Sequence, residues 1–119
     1  SKVERVLLHA GKIHWDLVSE LDKNPDPRIA LVRLEQFYPA PVDELRAVLS
    51  QYPDAELVWV QDEPENQGAW PFFALELAGR LPERGVRVIS RAAAAAPATG
   101  SAKVHAAEHA ALMQQALTF

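Results

Sequence analysis

The chain contains no cysteine and no long apolar run. Without cysteine it has no disulfide, thiolate nucleophile, iron–sulfur ligand or cysteine-bound zinc, and the redox compartment stays undetermined. No apolar run reaches the roughly 18 to 20 residues that a membrane-spanning helix requires. Residues 1–5 also lack the apolar core of a signal peptide. We therefore expect a soluble intracellular domain with no membrane partner.

Basic charge is not in excess either: 12 basic and 16 acidic side chains in 119 residues give a net charge of −4. Sequence-independent nucleic-acid binding needs a basic face that displaces phosphate counterions, so we expect no nucleic-acid partner. Apolar residues are plentiful, at 49% of the chain. A chain of this length buries roughly two-thirds of the surface that it exposes when unfolded. We therefore expect one domain over residues 1–119.

The apolar pattern predicts an α/β fold. Four short runs rich in β-branched residues indicate strands at residues 3–9, 28–34, 56–61 and 86–90. The intervening segments have helical spacing, and the alternation βαβαβαβα predicts a three-layer α/β/α sandwich around a mainly parallel four-stranded sheet. Two strand orders are plausible, and we prefer 2-1-3-4. The predicted buried helix faces are Ile13, Leu17 and Leu21; Val42, Leu45 and Leu49; Trp70, Phe73 and Leu77; and Ala102, Ala106, Ala110, Met113 and Leu117.

In this strand order the loops after strands 1 and 3 flank the crevice where ligands or partners usually bind. The second loop is unusual. We expect Pro64 to stiffen the exit from the strand, Asn66 to cap the next helix and Gly68 to permit a close backbone approach. Trp70 either packs that helix onto the sheet or joins Phe72 in a partner surface, where aromatic residues are enriched.

The last predicted helix contains His105-Ala-Ala-Glu108-His109, which matches the H-x-x-E-H pattern of inverted zinc peptidases. A metal site would need a third protein ligand from upstream in the chain. Because short motifs often match by chance, we interpret this one as an exposed polar stripe opposite the apolar face of the helix. No zinc site is predicted.

Carboxylates gather at the end of predicted strand 3, at Asp62, Glu63 and Glu65. A magnesium ion is one possible partner, since it typically takes one or two carboxylates. We favour hydrogen bonds from the neighbouring backbone or from an arginine such as Arg33 or Arg91, which also lie at strand ends. No serine lies in a G-x-S-x-G elbow, and no catalytic residue is predicted.

Two predicted helix starts are candidate anion sites, because the first amides of a helix attract negative charge. Neither forms a G-x-G-x-x-G fingerprint or a P-loop, and a glycine before a helix usually serves the turn. A regulatory module that binds a nucleotide or coenzyme A ester is therefore the alternative function. Its candidate residues are Gly11 and Lys12 at the first start and Gly100, Ser101 and Lys103 at the last.

Four blocks of sequence resemble one known family. They are residues 6–12 (VLLHAGK), residues 29–39 (IALVRLEQFYP), residues 60–70 (VQDEPENQGAW), and a closing segment with Arg91, residues 97–100 and residues 104–105. Together they resemble the transketolase-like C-terminal domain of the thiamine-diphosphate-dependent decarboxylating component of 2-oxoglutarate dehydrogenase. The third block is the most specific, since it follows the family signature Glu-Glu-Pro-x-Asn-Gln-Gly-Ala-Trp. The chain departs from the family at Ala10, where the family has serine.

This resemblance implies a fragment of a longer enzyme of the tricarboxylic acid cycle. That enzyme decarboxylates 2-oxoglutarate and passes the succinyl group to a lipoyl carrier. Thiamine diphosphate and magnesium are expected in two larger domains outside this chain, which is expected to be inactive alone. The family domain normally begins with an additional antiparallel edge strand, so the start at residue 1 is expected to be a trimmed one.

The role implied for this domain is structural. It is expected to contact the catalytic domains and a second protomer of a homodimer, in the bacterial cytoplasm or, in a eukaryote, the mitochondrial matrix. The candidate interface or signature residues are Arg33, Glu35, Gln36, Glu63, Asn66, Gln67, Gly68, Trp70 and Arg91.

Overall fold

The computed structural model of the protein describes residues 2–35, 41–77, 80, 84–91 and 102–119. The predicted alternation of strands and helices is confirmed. The bounds also agree closely, except that the third strand continues beyond residue 61. The elements are β1 (Arg5–His9), α1 (Ile13–Lys23), β2 (Ile29–Arg33), α2 (Val42–Leu49), β3 (Glu56–Pro64), α3 (Trp70–Glu76), β4 (Val86–Arg91) and α4 (Ala102–Leu117).

The four strands form one sheet in the order β2-β1-β3-β4, and every neighbouring pair is parallel, as predicted. In the middle of the sheet, Leu7 of β1 lies opposite Leu31 of β2 and Val58 of β3. The pairing of β3 with β4 becomes irregular between Val60 and Pro64. Because the strands are parallel, their carboxyl ends lie together along one side, which we call the carboxyl edge.

The sheet is buried on both faces, which explains the nearly continuous apolar runs in β1 and β3. Successive strand residues point to opposite faces. One face carries α2 and α3, and the other carries α1 and α4. The first core contains Val6, Leu8, Leu34, Leu45, Leu49, Ala55, Leu57, Trp59, Phe73 and Leu77. The second contains Leu7, Ile13, Leu17, Ile29, Val58, Val60, Ile89, Leu112, Met113 and Ala116.

The predicted buried face of α4 is partly wrong. Met113 is buried as expected and Leu117 is half-buried, but Ala106 and Ala110 are exposed. The buried face instead contains Leu112, Met113 and Ala116. A leucine buries more apolar surface than an alanine, so the helix is oriented by its larger side chains. The side chain of Ala102, also in the prediction, lies outside the described residues.

The end of α4 is bound to β1 by Arg5. Its Nη1 donates hydrogen bonds to the carbonyl oxygens of Gln115, Ala116 and Thr118, at 3.0, 3.0 and 2.8 Å. The carbonyls of Gln115 and Ala116 belong to the last turn of the helix, where they have no partner inside the helix. Among the described residues, no helix is both long and apolar enough to cross a membrane.

Candidate functional site at the carboxyl edge

The chain reverses its direction along the sheet between β1 and β3. Strand β1 leads into α1 on one face, whereas β3 leads into α3 on the other. The loops after these two strands therefore diverge at the carboxyl edge, which is the topological position where open α/β sheets bind ligands or partners. Most of the polar residues singled out from the sequence lie at this edge.

Gln61 organises the loop between β3 and α3. Its side chain is buried, and its Oε1 accepts hydrogen bonds from the indole of Trp59 at 3.0 Å and from the backbone N–H of Trp70 at 2.8 Å. Its Nε2 donates to the carbonyl oxygens of Pro64 at 2.8 Å and Gln67 at 2.7 Å. Both ends of one amide are thus satisfied, and they fix the path of the loop.

Gly68 makes the close approach predicted for it. Its φ is +67°, in the left-handed region that favours glycine, and a Cβ there would lie 2.9 Å from Oε1 of Glu63. The expectation that Asn66 caps the helix is wrong. The N-cap of α3 is Ala69, whose side chain makes no capping hydrogen bond. The backbone N–H of Trp70, the first of the helix, donates instead to Oε1 of Gln61.

Trp70 packs α3 against the sheet. It is half-buried, and its ring lies nearly parallel to that of Phe73, with centroids 6.0 Å apart. Phe73 in turn stacks on Trp59, at 4.5 Å. The first of the two interpretations of Trp70 thus fits its position, whereas Phe72 is 38% exposed.

Arg91 at the end of β4 is buried and surrounded by acceptors. Its Nη2 forms an ion pair with Oδ1 of Asp62 at 2.8 Å, and its Nε donates to the Asp62 carbonyl oxygen. Its Nη1 donates to the carbonyl oxygen of His105 at 3.2 Å and lies 3.4 Å from Oε1 of Glu108. The expected arginine partner of a strand-end carboxylate is therefore found, and it joins β3, β4 and α4.

His109 extends this cluster to α1. Its Nδ1 lies 3.0 Å from Oδ1 of Asp62, and its Nε2 lies 3.4 Å from Oδ2 of Asp16. The interpretation of the histidine motif as an exposed stripe is therefore wrong for Glu108 and His109, because both are half-buried against the carboxyl edge. His105 is exposed but contacts Arg91. Within the described ranges, no three His, Asp or Glu side chains are placed to hold a metal ion.

Two histidines, His9 and His14, contact each other at the end of β1. His9 is fully buried, with Nδ1 2.9 Å from the carbonyl oxygen of Leu7 and Nε2 2.8 Å from Nδ1 of His14. Burial lowers the pKa of His9 to about 4. His9 is therefore neutral at pH 7, so its Nδ1–H donates to Leu7 and its Nε2 accepts from His14. No motif in the sequence marks this pair.

The remaining candidates are mostly surface residues. Arg33 and Glu35 are exposed, with the Arg33 guanidinium 5.6 Å from the Trp15 ring. Gly11 has a φ of +79°, and Lys12 beside it is exposed. These anion candidates, like exposed Lys103, stay predictions. Gln36, Gly100 and Ser101 lie outside the described residues.

Gln61 is the important residue that sequence reasoning missed. A signal for it existed, since a polar residue that directly follows the apolar run Val58-Trp59-Val60 in a central strand must find internal partners. The partners themselves depend on how the loop folds back, and no local pattern specifies that.

The fold and its edge define a class: an open, doubly wound parallel α/β domain with its polar residues at the switch point. A family model described as "2-oxoglutarate dehydrogenase C-terminal" matches residues 1–117. The chain therefore belongs to the family of 2-oxoglutarate dehydrogenase C-terminal domains, as the sequence resemblance predicted.

Similar proteins include those named "Multifunctional 2-oxoglutarate metabolism enzyme" in Mycobacterium sp. (strain JLS) and in Mycolicibacterium vanbaalenii. Each is 45% identical to this chain over 119 aligned positions, and the alignment covers 98% of this chain. The match covers 9% of the first relative and 10% of the second. The chain thus spans about a tenth of the length of the curated relatives it matches.

Proposed function

We propose that this chain is a non-catalytic assembly domain of a thiamine-diphosphate-dependent, decarboxylating 2-oxoglutarate dehydrogenase. The observation that carries the proposal is that the main polar groups of the carboxyl edge are bonded to one another. The side-chain amide of Gln61 has hydrogen-bond partners in the loop for both its oxygen and its nitrogen. The guanidinium of Arg91 is hydrogen-bonded to Asp62 and to α4. Such an edge is a rigid surface rather than a set of free reactive groups.

The proposal places the chemistry elsewhere in the parent protein. Asp62 is already bound by Arg91 and His109. Glu63 and Glu65 are exposed, and among the described residues they form no group of three His, Asp or Glu side chains that could hold a metal ion. These observations support assigning thiamine diphosphate, magnesium and the lipoyl carrier to parts of the parent outside these residues. We expect that parent to act on 2-oxoglutarate in the tricarboxylic acid cycle and to reside in the cytoplasm or mitochondrial matrix.

The proposed interface consists of the exposed residues of the carboxyl edge, which would contact the catalytic domains and a second protomer of the homodimer. Arg33 and Glu35 lie at the end of β2, Glu63 lies at the end of β3, and Asn66 lies in the loop after β3. Charged residues around an interface contribute to partner selection more than to affinity. Reversing such charges is therefore expected to weaken assembly without unfolding the domain.

The test is made in the full-length protein that contains this chain. The double variant Arg33→Glu with Glu35→Lys reverses two exposed charges at the carboxyl edge. Lys23→Glu reverses an exposed charge at the end of α1, on the opposite side of the sheet, and is the control. We expect the double variant to lower the dimer fraction measured by sedimentation and the control to leave it unchanged. Equal dimer fractions in all three proteins would contradict the proposal.

A further inference from the structure

Only part of the apolar surface of helix α3 is buried in the core of this domain. Its sequence, Trp-Pro-Phe-Phe-Ala-Leu-Glu, contains a single ionisable residue, Glu76. Phe73 is fully buried against the sheet, whereas Leu75 is 77% exposed and Pro71 is also exposed. A helix that is apolar on every side is typical of a buried position, not of a surface layer.

We propose that the outer face of α3, defined by Pro71, Phe72 and Leu75, docks against another domain of the parent protein. The proposal rests on the assembly role proposed above and adds α3 to the contact surface. The occupant is a surface of the parent polypeptide that lies outside these 119 residues. Its chemistry is an apolar patch with basic side chains on the side that meets the first turn of α3.

The small size of the face argues against self-association. Seven helical residues extend about 10 Å, and the outward half of such a helix presents on the order of 200 Å². A stable association of separate proteins buries roughly 800 Å² on each partner. Two copies joined through α3 alone would bury far less than this. A partner in the same polypeptide needs less area, because tethering raises its effective concentration.

Charge around the face supports the stated chemistry of the partner. Glu63 at the end of β3 and Glu65 in the following loop are both exposed and precede the first turn of α3. At the other end of the helix, Glu76 is followed by exposed Arg80, so the charge is mixed there. An apolar centre with acidic residues beside its first turn is complementary to an apolar patch with basic side chains on that side. Such a partner fits the length of the relatives, because the match covers only 9% to 10% of their length.

Photo-cross-linking in the full-length protein identifies the occupant. A benzophenone amino acid replaces Leu75, and in the control it replaces Ala111, which is exposed on α4 across the sheet. We expect the first probe to link to a peptide outside these 119 residues and the control not to link to that peptide. A link between α3 and α3 of a second copy, or no link from the first probe, would overturn the proposal.

A second measurement uses the same two positions. Leu75→Lys is expected to make the α3 amides of the full-length protein exchange with deuterium at least about tenfold faster, because the docked partner protects them. Ala111→Lys is expected to leave α3 exchange unchanged. Unchanged exchange in Leu75→Lys overturns the docking of α3. The assembly role then still stands if the Arg33→Glu, Glu35→Lys variant lowers the dimer fraction.

Discussion

The side-chain oxygen of Gln61 accepts the backbone N–H of Trp70 at 2.8 Å, across nine residues of the chain. This bond joins the end of the central strand β3 to the first turn of α3. The same side chain donates to Pro64 and Gln67, so the loop that carries the family signature has one internal anchor. The shape of the proposed interface therefore depends on a residue that does not itself reach the surface.

Replacing the anchor tests this dependence. Gln61→Glu removes both donors and turns a carboxylate towards two carbonyl oxygens, so we expect the free energy of unfolding to fall by about 3 kcal/mol. The measurement is urea denaturation at pH 7. Gln51→Glu makes the same chemical change at an exposed position after α2 and is expected to alter stability by less than about 0.5 kcal/mol. Equal effects of the two substitutions would contradict the assigned role.

Gly68 and Gly85 form a matched pair for a second prediction. Both have positive φ, +67° and +68°, but a Cβ at Gly68 meets Glu63 whereas one at Gly85 meets no described atom within 4 Å. Gly85→Ala is expected to cost about 1 kcal/mol for the backbone conformation alone, and Gly68→Ala about 1 kcal/mol more. Thermal or urea denaturation measures both. Adding Glu63→Ala to Gly68→Ala removes the contacts with Oε1 and Cδ but keeps the one with Cβ, at 3.1 Å, so it should recover part of the difference. No recovery at all would show that the Glu63 side chain is not its cause.

The lowered pKa of His9 predicts that the free energy of unfolding decreases in acid. Its pKa is lowered by burial to about 4, against about 6.5 in the unfolded chain. As pH falls below 6.5 the unfolded state takes up the proton first, so this contribution to stability is lost between pH 6.5 and 4. Its full size is about 3 kcal/mol, at 1.36 kcal/mol for each pKa unit.

The corresponding variant is His9→Gln, which cannot titrate. The stability difference between the original protein and this variant should shrink as pH falls from 7 to 4.5, as measured by urea denaturation at each pH. A His9→Gln difference that stays constant with pH would contradict the assignment of a neutral, buried His9.

Arg91 should be more important for stability than Arg87 on the same strand. Arg91→Lys keeps the charge but loses the planar guanidinium, whose nitrogens reach Asp62, His105 and Glu108 together. We therefore expect the free energy of unfolding to fall by about 2 kcal/mol. Arg87→Lys changes an exposed ion pair with Glu56, and such pairs contribute about 0 to 1 kcal/mol. Denaturation of both variants checks the ranking. Arg87→Lys costing as much as Arg91→Lys would contradict it.

The sheet could be predicted from the sequence because strands buried on both faces must be apolar throughout, as in β1 and β3. Right-handed crossovers leave two strand orders plausible, and the preferred order, 2-1-3-4, is confirmed. The face of α4 could not be predicted in the same way, because its alanines have little preference for burial. The pair Arg91–Asp62 is among the expected partners, because both residues lie at strand ends. The pairs Gln61–Trp70 and His9–His14 arise from loop paths, which local spacing does not encode.

We propose that the reaction takes place outside these residues while this domain supports the assembly. The decisive experiment is isothermal titration calorimetry with thiamine diphosphate and magnesium, on the 119-residue chain and on the full-length protein that contains it. We expect binding by the full-length protein and no binding heat from the chain alone. Micromolar binding of thiamine diphosphate by the 119 residues would contradict it.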